Sequence, residues 1–180
     1  MSKLSDQLWD STKELRQDVM KTTFIQGLKN GSLDPVKFGK YVVQDVVFCY
    51  QGQKNMETIA ARSFGDLRDF MKKEILSLRQ AYIEFLTYVA QSYDPIYFLV
   101  AFLPCMRLWP WIGEQLRQSE SNFGVYQSWV NEYLTGDLFQ SWEDFINKSS
   151  TIDRDIASKI YTESMKDELE FFSSVFPVKR

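Results

Sequence analysis

The chain has 180 residues, 44% of them hydrophobic and 16% aromatic, and its intermixed charges sum to −3. That is most simply one domain over residues 1–180 with a core of its own, and a surface with no electrostatic footprint for nucleic acid or an anionic membrane. Histidine is absent, which removes Ser-His and Cys-His nucleophile pairs, haem ligation by a proximal histidine and mixed histidine/carboxylate metal sites. Proton transfer then falls to Asp, Glu, Tyr, Cys or Lys.

Leu4, Leu8, Leu15 and Val19 share a helical face, so an amphipathic helix is predicted to about residue 20. A short piece from Lys21 ends in turn chemistry at Asn30 and Gly31, and Asp34 with Pro35 makes a helix start. From there a helical pattern runs to about Ser63. Phe64 and Gly65 break it, and Asp66 begins another helix that ends near Ser92. Asp94 and Pro95 open an apolar segment in which Pro104 and Pro110 predict two kinks or interruptions. A polar turn at Ser119 to Asn122 leads into two short helices separated near Gly136. Ser149 to Asp153 caps a last helix to about Phe176. No repeat or low-complexity stretch interrupts this, and an all-α domain of roughly seven or eight helices is expected.

Two cysteines, Cys49 and Cys105, do not make a disulfide framework, and the polar start M-S-K-L-S-D-Q-L-W-D is unlike a signal peptide. The longest apolar run, Ile96 to Met106, is too short to span a bilayer and carries a proline. A cytoplasmic protein with reduced thiols is expected. The load of 14 Phe, 9 Tyr and 5 Trp suits a pocket for a flat ligand, although most of these rings serve packing.

Three residues stand out chemically. Cys105 follows Pro104 directly, and an interruption there puts its sulfur at a local helix start, where the dipole favours a nucleophilic thiolate. The alternative is an inert buried thiol. Asp45 lies in the apolar run Y-V-V-Q-D-V-V-F-C-Y and shares a face with Tyr41, Phe48 and Gly52, an arrangement that suits a flat ring with N–H donors on its edge. An internal ion pair would satisfy it equally well. On the last helix Glu168 faces the apolar side with Phe171, Phe172 and Tyr161. A raised pKa is expected there, as a proton donor near neutrality needs. Glu163 and Glu170 are the competing acids.

In chain order, F-I-Q-G-L-K-N-G-S-L from Phe24 and F-G-K-Y-V-V-Q-D from Phe38 are followed by A-Y-I-E-F-L from Ala81 and A-F-L-P-C at Ala101. W-V-N-E-Y from Trp129 and E-L-E-F-F from Glu168 complete the set. Together these segments resemble the TenA family, thiaminase II. The resemblance implies a haem-oxygenase-like helical bundle that holds no haem, usually a homotetramer, hydrolysing aminopyrimidines released from degraded thiamin for salvage without metal or other cofactor. By position it makes Cys105 the nucleophile and Glu168 the acid/base group. Asp45 would bind the amino-pyrimidine edge, and Tyr82 and Tyr133 would line the pocket. Phe48 and Trp109 stand where members often carry tyrosines near the sulfur. That departure leaves substrate preference open and keeps a second reading alive, a non-catalytic or differently specific binder of a flat heterocycle.

Overall fold

The computed structural model describes residues 2–70, 84–118, 121–133 and 139–174, excepting the side chains at 43, 46–51, 53, 84–87, 132, 133 and 174. These residues hold nine α-helices, a further helical stretch at 65–70 and a short 3-10 turn, with no strand among them. The N-terminal pattern divides into α1 (Leu4–Ser11) and α2 (Lys13–Lys21) rather than one helix. Thr12 makes the break: its hydroxyl turns back to the carbonyls of Leu8 (3.3 Å) and Trp9 (3.1 Å), competing with the helix ladder. α3 (Thr23–Lys29) starts at Thr22, whose hydroxyl accepts from the Ile25 N–H. These divisions, which a face-counting reading of sequence does not see, raise the helix number above seven or eight.

After α3 the chain turns through Asn30 and Gly31. The Asn30 side chain accepts from the Ser32 N–H at 3.0 Å, and Gly31 has φ +68°. The turn is clasped to a distant loop, because the Asn122 N–H donates to the Lys29 carbonyl at 3.0 Å and the Tyr126 hydroxyl to the Leu33 carbonyl at 2.6 Å. A Cβ on Gly31 would stand 2.8 Å from the Asn122 carbonyl oxygen. Asp34 then caps α4 (Pro35–Arg62), accepting from the Val36 N–H at 2.7 Å with Pro35 at the first helical position. Residues 65–70 are helical again, and α5 (Glu84–Ser92) ends as expected.

α6 (Ile96–Arg117) is the axis of the core and the largest departure from the sequence reading. It runs as one helix through both Pro104 and Pro110, so neither proline interrupts it, and Cys105 sits in its tenth position rather than at a fresh helix start. The reason is tertiary. Every residue from Ile96 to Cys105 is buried, and beyond that Leu108, Ile112 and Leu116 continue one apolar face. Packing on all sides holds a helix whose internal ladder lacks the bonds the prolines cannot make. At 22 residues it is long and apolar enough to cross a membrane, which the run ending at Met106 was not, but 72% of its most apolar window lies inside the protein. That is the pattern of a core helix.

α7 (Gln127–Tyr133), α8 (Phe139–Lys148) and α9 (Arg154–Ser174) follow. Asp153 caps α9 by accepting from the N–H groups of Asp155 and Ile156 at 2.9 and 3.1 Å. α9 packs most extensively on α6 and also meets α1, α2 and α3, while α8 packs on the opposite flank of α6. Between α1, α6 and α8 lies a partly buried polar knot. Arg107 pairs with Glu143 at 2.6 Å and approaches Asp6 at 3.7 Å. The guanidinium groups of Arg16 and Arg107 stand 3.7 and 4.4 Å from the ring centre of Trp9, a cation–π arrangement. Burial holds the Glu143 carboxyl above its ordinary pKa although Arg107 pulls it back.

Gly31→Ala forces a left-handed backbone on an L side chain, at about 1–2 kcal/mol, and also drives a methyl onto the Asn122 carbonyl. Chemical denaturation is expected to show a loss of at least about 2 kcal/mol, with the helical circular dichroism of the native state retained.

Candidate active site

Three helices carry the residues singled out above, and each carries an aromatic ring one turn away from the reactive group. On α4 Asp45 follows Tyr41 by four residues; on α6 Trp109 follows Cys105 by four; on α9 Phe172 follows Glu168 by four. Side chains four apart on a helix share a face. The rings meet. Trp109 lies 4.8 Å from Phe172 and 5.9 Å from Tyr41 between ring centres, and Tyr41 lies 5.3 Å from Phe171. Trp129 of α7 closes the group with its edge toward both Tyr41 (5.8 Å) and Trp109 (5.7 Å). Phe38 extends the layer to Tyr126 at 4.8 Å.

The register of α6 against α9 is marked on both sides of Cys105 and Glu168. One turn before Cys105, the Ala101 carbonyl accepts a 2.6 Å hydrogen bond from the Ser164 hydroxyl, both buried. One turn after it, Trp109 packs on Phe172. Since 101 and 164, 105 and 168, and 109 and 172 are equally offset, the two helices run parallel, and Cys105 and Glu168 occupy the same level on facing sides. Successive levels are about 6 Å apart.

Glu168 is completely buried, and neither carboxyl oxygen has a hydrogen-bond partner. Burial raises its pKa well above 4.5, and the negative charge of Asp45 raises it further. This second cause ties Asp45, which is half-buried on α4, to the same locality. The rival acids are elsewhere. Glu163 is exposed and pairs with Lys166 at 2.7 Å, and Glu170 is exposed. Cys105 is a buried thiol outside any disulfide.

The site therefore gathers a thiol, a carboxyl with a raised pKa, a second carboxylate and a wall of rings. A carboxyl kept neutral by its surroundings is equipped to give up a proton to a leaving group near neutral pH. Among the described residues no three His, Cys, Asp or Glu side chains form a metal-binding group. Tyr82 lies outside the described residues; Phe48 and Tyr133 sit on α4 and α7, but their side chains lie outside the description. The thiol is not at a helix start, so the dipole argument for its activation does not carry over. Sequence reasoning did not single out Trp129, Phe38 or Ser164 as parts of the site. For Ser164 the available signal was its four-residue spacing from Glu168; for Trp129 and Phe38 no local signal exists, since their contacts cross between helices.

The TENA/THI-4/PQQC family profile matches residues 61–176, and the chain belongs to that family. An aminopyrimidine aminohydrolase of Bacillus subtilis (strain 168) is 24% identical over 179 residues, an alignment covering 81% of this chain and 75% of the relative. A bifunctional TH2 protein, mitochondrial, of Arabidopsis thaliana is 36% identical over 88 residues, which make up 42% of this chain but only 14% of that protein. Among solved structures, a TenA homologue from P. horikoshii OT3 superposes with a TM-score of 0.84 at 18% identity, covering 97% of this chain and 99% of the other. A TenA homologue from Pyrococcus furiosus gives 0.76 at 16% identity, covering 96% and 100%. The fold is the haem-oxygenase-like helical bundle.

Glu168 makes stability depend on pH in a definite direction. The unfolded chain releases this proton near 4.5, whereas the folded protein holds it to a higher pH. Between the two values the folded state binds more protons, so its stability falls as pH rises and levels off above the folded pKa. Half-buried Asp167, raised from 3.8 to about 6 by burial and by Glu170 and Glu163, adds a smaller loss of the same sign between those values. Glu168→Gln is expected to flatten most of the decline in melting temperature above pH 4.5. A slope as steep as that of the wild type would show that the carboxyl is ionised in the folded protein.

Proposed function

We propose that the chain is a cysteine-dependent hydrolase of aminopyrimidines of the thiaminase II type, acting on thiamin degradation products such as 4-amino-5-aminomethyl-2-methylpyrimidine and yielding the hydroxymethylpyrimidine for thiamin salvage. The observation that carries the reading is the buried Glu168 carboxyl, without a hydrogen-bond partner and level with Cys105. Burial of an unsatisfied carboxyl costs several kcal/mol, and a ligand that bonds to it removes that cost. The family and the B. subtilis aminohydrolase support the substrate class.

In this reading the ring lies against the wall of Tyr41 and Trp109, with its amino edge toward Asp45. The Cys105 thiolate adds to a ring carbon. Glu168 gives its proton to the exocyclic amine, the C–N bond breaks, and ammonia leaves behind an exocyclic methylene. Water adds to that carbon and returns a proton to Glu168. The C–S bond then breaks and the thiolate is restored, so the net change is one C–N bond hydrolysed to C–OH and ammonia. The working assembly is a homotetramer, as the family resemblance implies, and light scattering checks it.

Ammonia release from 4-amino-5-aminomethyl-2-methylpyrimidine is the direct assay. Cys105→Ala is expected to abolish turnover, and Glu168→Gln to lower kcat by about 10²–10⁴-fold with binding retained. Equal rates for wild type and Cys105→Ala would overturn the nucleophile. Tight binding without turnover by the wild type would instead favour a heterocycle binder, a reading to which Trp109 lends weight, since its ring is engaged with Tyr41, Trp129 and Phe172 and carries no phenolic hydroxyl.

A further inference from the structure

We propose that Ser164 is the positioning residue that aligns the thiol with its acid; this rests on the reading of Cys105 and Glu168 as the reacting pair. The turn that leads into Cys105 is one of two in α6 weakened by a proline. Pro104 has no N–H to return to the Val100 carbonyl, so the ladder is short of one bond just before the sulfur. At the next carbonyl, that of Ala101, a bond arrives from another helix: the Ser164 hydroxyl donates to it at 2.6 Å, near the short end for an O–H···O contact. Ser164 is 2% exposed, so water does not compete for either partner.

This tether spans the two helices that carry the chemistry and lies one turn before both reactive groups. Ser164 precedes Glu168 by four residues, and Ala101 precedes Cys105 by four. Below the pair, Trp109 against Phe172 is an apolar contact held by packing rather than by a directional bond. Above it, the hydrogen bond is directional and fixes the level. Ser164 thus sets the distance between the sulfur and the carboxyl without touching substrate itself.

The test is Ser164→Ala, compared with the isosteric pair Ser164→Thr and Ser164→Val, which separates the hydroxyl from the volume. Ser164→Ala is expected to lower kcat for ammonia release by about 100-fold, the scale of a misplacement near 1 Å, with KM within about twofold. Ser164→Thr is expected to keep most of the rate and Ser164→Val to lose it. A substrate-free readout accompanies these: the pH profile of iodoacetamide alkylation at Cys105, followed on its own peptide by mass spectrometry, is expected to shift in Ser164→Ala and Ser164→Val and to hold in Ser164→Thr. A folded Ser164→Ala with wild-type kcat, or Thr and Val variants equally impaired, would overturn the assignment of Ser164 while leaving the reaction intact. Should Ser164→Ala fail to fold, the Thr and Val pair decides alone. Equal rates in wild type and Cys105→Ala would instead remove the reacting pair, and the alkylation profile would then report only whether Ser164 orients the thiol.

Discussion

A carboxyl group with no hydrogen-bond partner at the centre of an apolar bundle is the constraint around which the molecule is arranged. Burial and the charge of Asp45 both push its pKa well above the usual carboxylate range, because ionising it would place a charge in a medium that cannot solvate it, beside another carboxylate. The folded state accepts this cost only because so much else is satisfied. α6 is surrounded on every side through ten residues, and its opposite flank holds the Arg107–Glu143 pair, where polar burial is matched by a partner. The contrast within one helix is instructive. Arg107 and Cys105 are two residues apart and face different surroundings, one paired with Glu143 and the other buried on the face that carries Trp109.

Local rules were readable where local forces decide. Asp34 and Pro35 announce the start of α4 because capping needs only a carboxylate, an N–H and a fixed φ within three residues. The preference for Glu168 over Glu163 and Glu170 came from face counting on a regular helix, and the observed burial agrees with it. Pro104 and Pro110 were misread because the energy that carries α6 across them is spread over contacts with α5, α8 and α9, none visible from the run itself. Thr12 was missed for the converse reason, since a single hydroxyl bonding backward is cheap in sequence terms yet ends a helix. The aromatic wall was legible only in part: Tyr41 belongs to the same stripe as Asp45, whereas Trp129 and Phe38 join through space.

Family membership and fold agree with the ordered motifs that suggested them. Low identity to the solved relatives, 16–19%, is compatible with close superposition because the bundle is specified by burial and by helix boundaries rather than by particular side chains. Particular side chains meet between α6 and α9, where the Ser164 hydroxyl bonds to the Ala101 carbonyl and Trp109 packs on Phe172.

The order in which the polymer contributes to this site carries a consequence for its assembly. Asp45 comes early, the thiol past the midpoint, and the carboxyl on α9, whose neighbours include α1, α2 and α3. α9 follows α6 by some sixty positions, so the face of α6 that packs on it stays uncovered until that later segment has been made. Such distant closure slows folding and lengthens the window for aggregation, making this architecture one that ripens all at once and late.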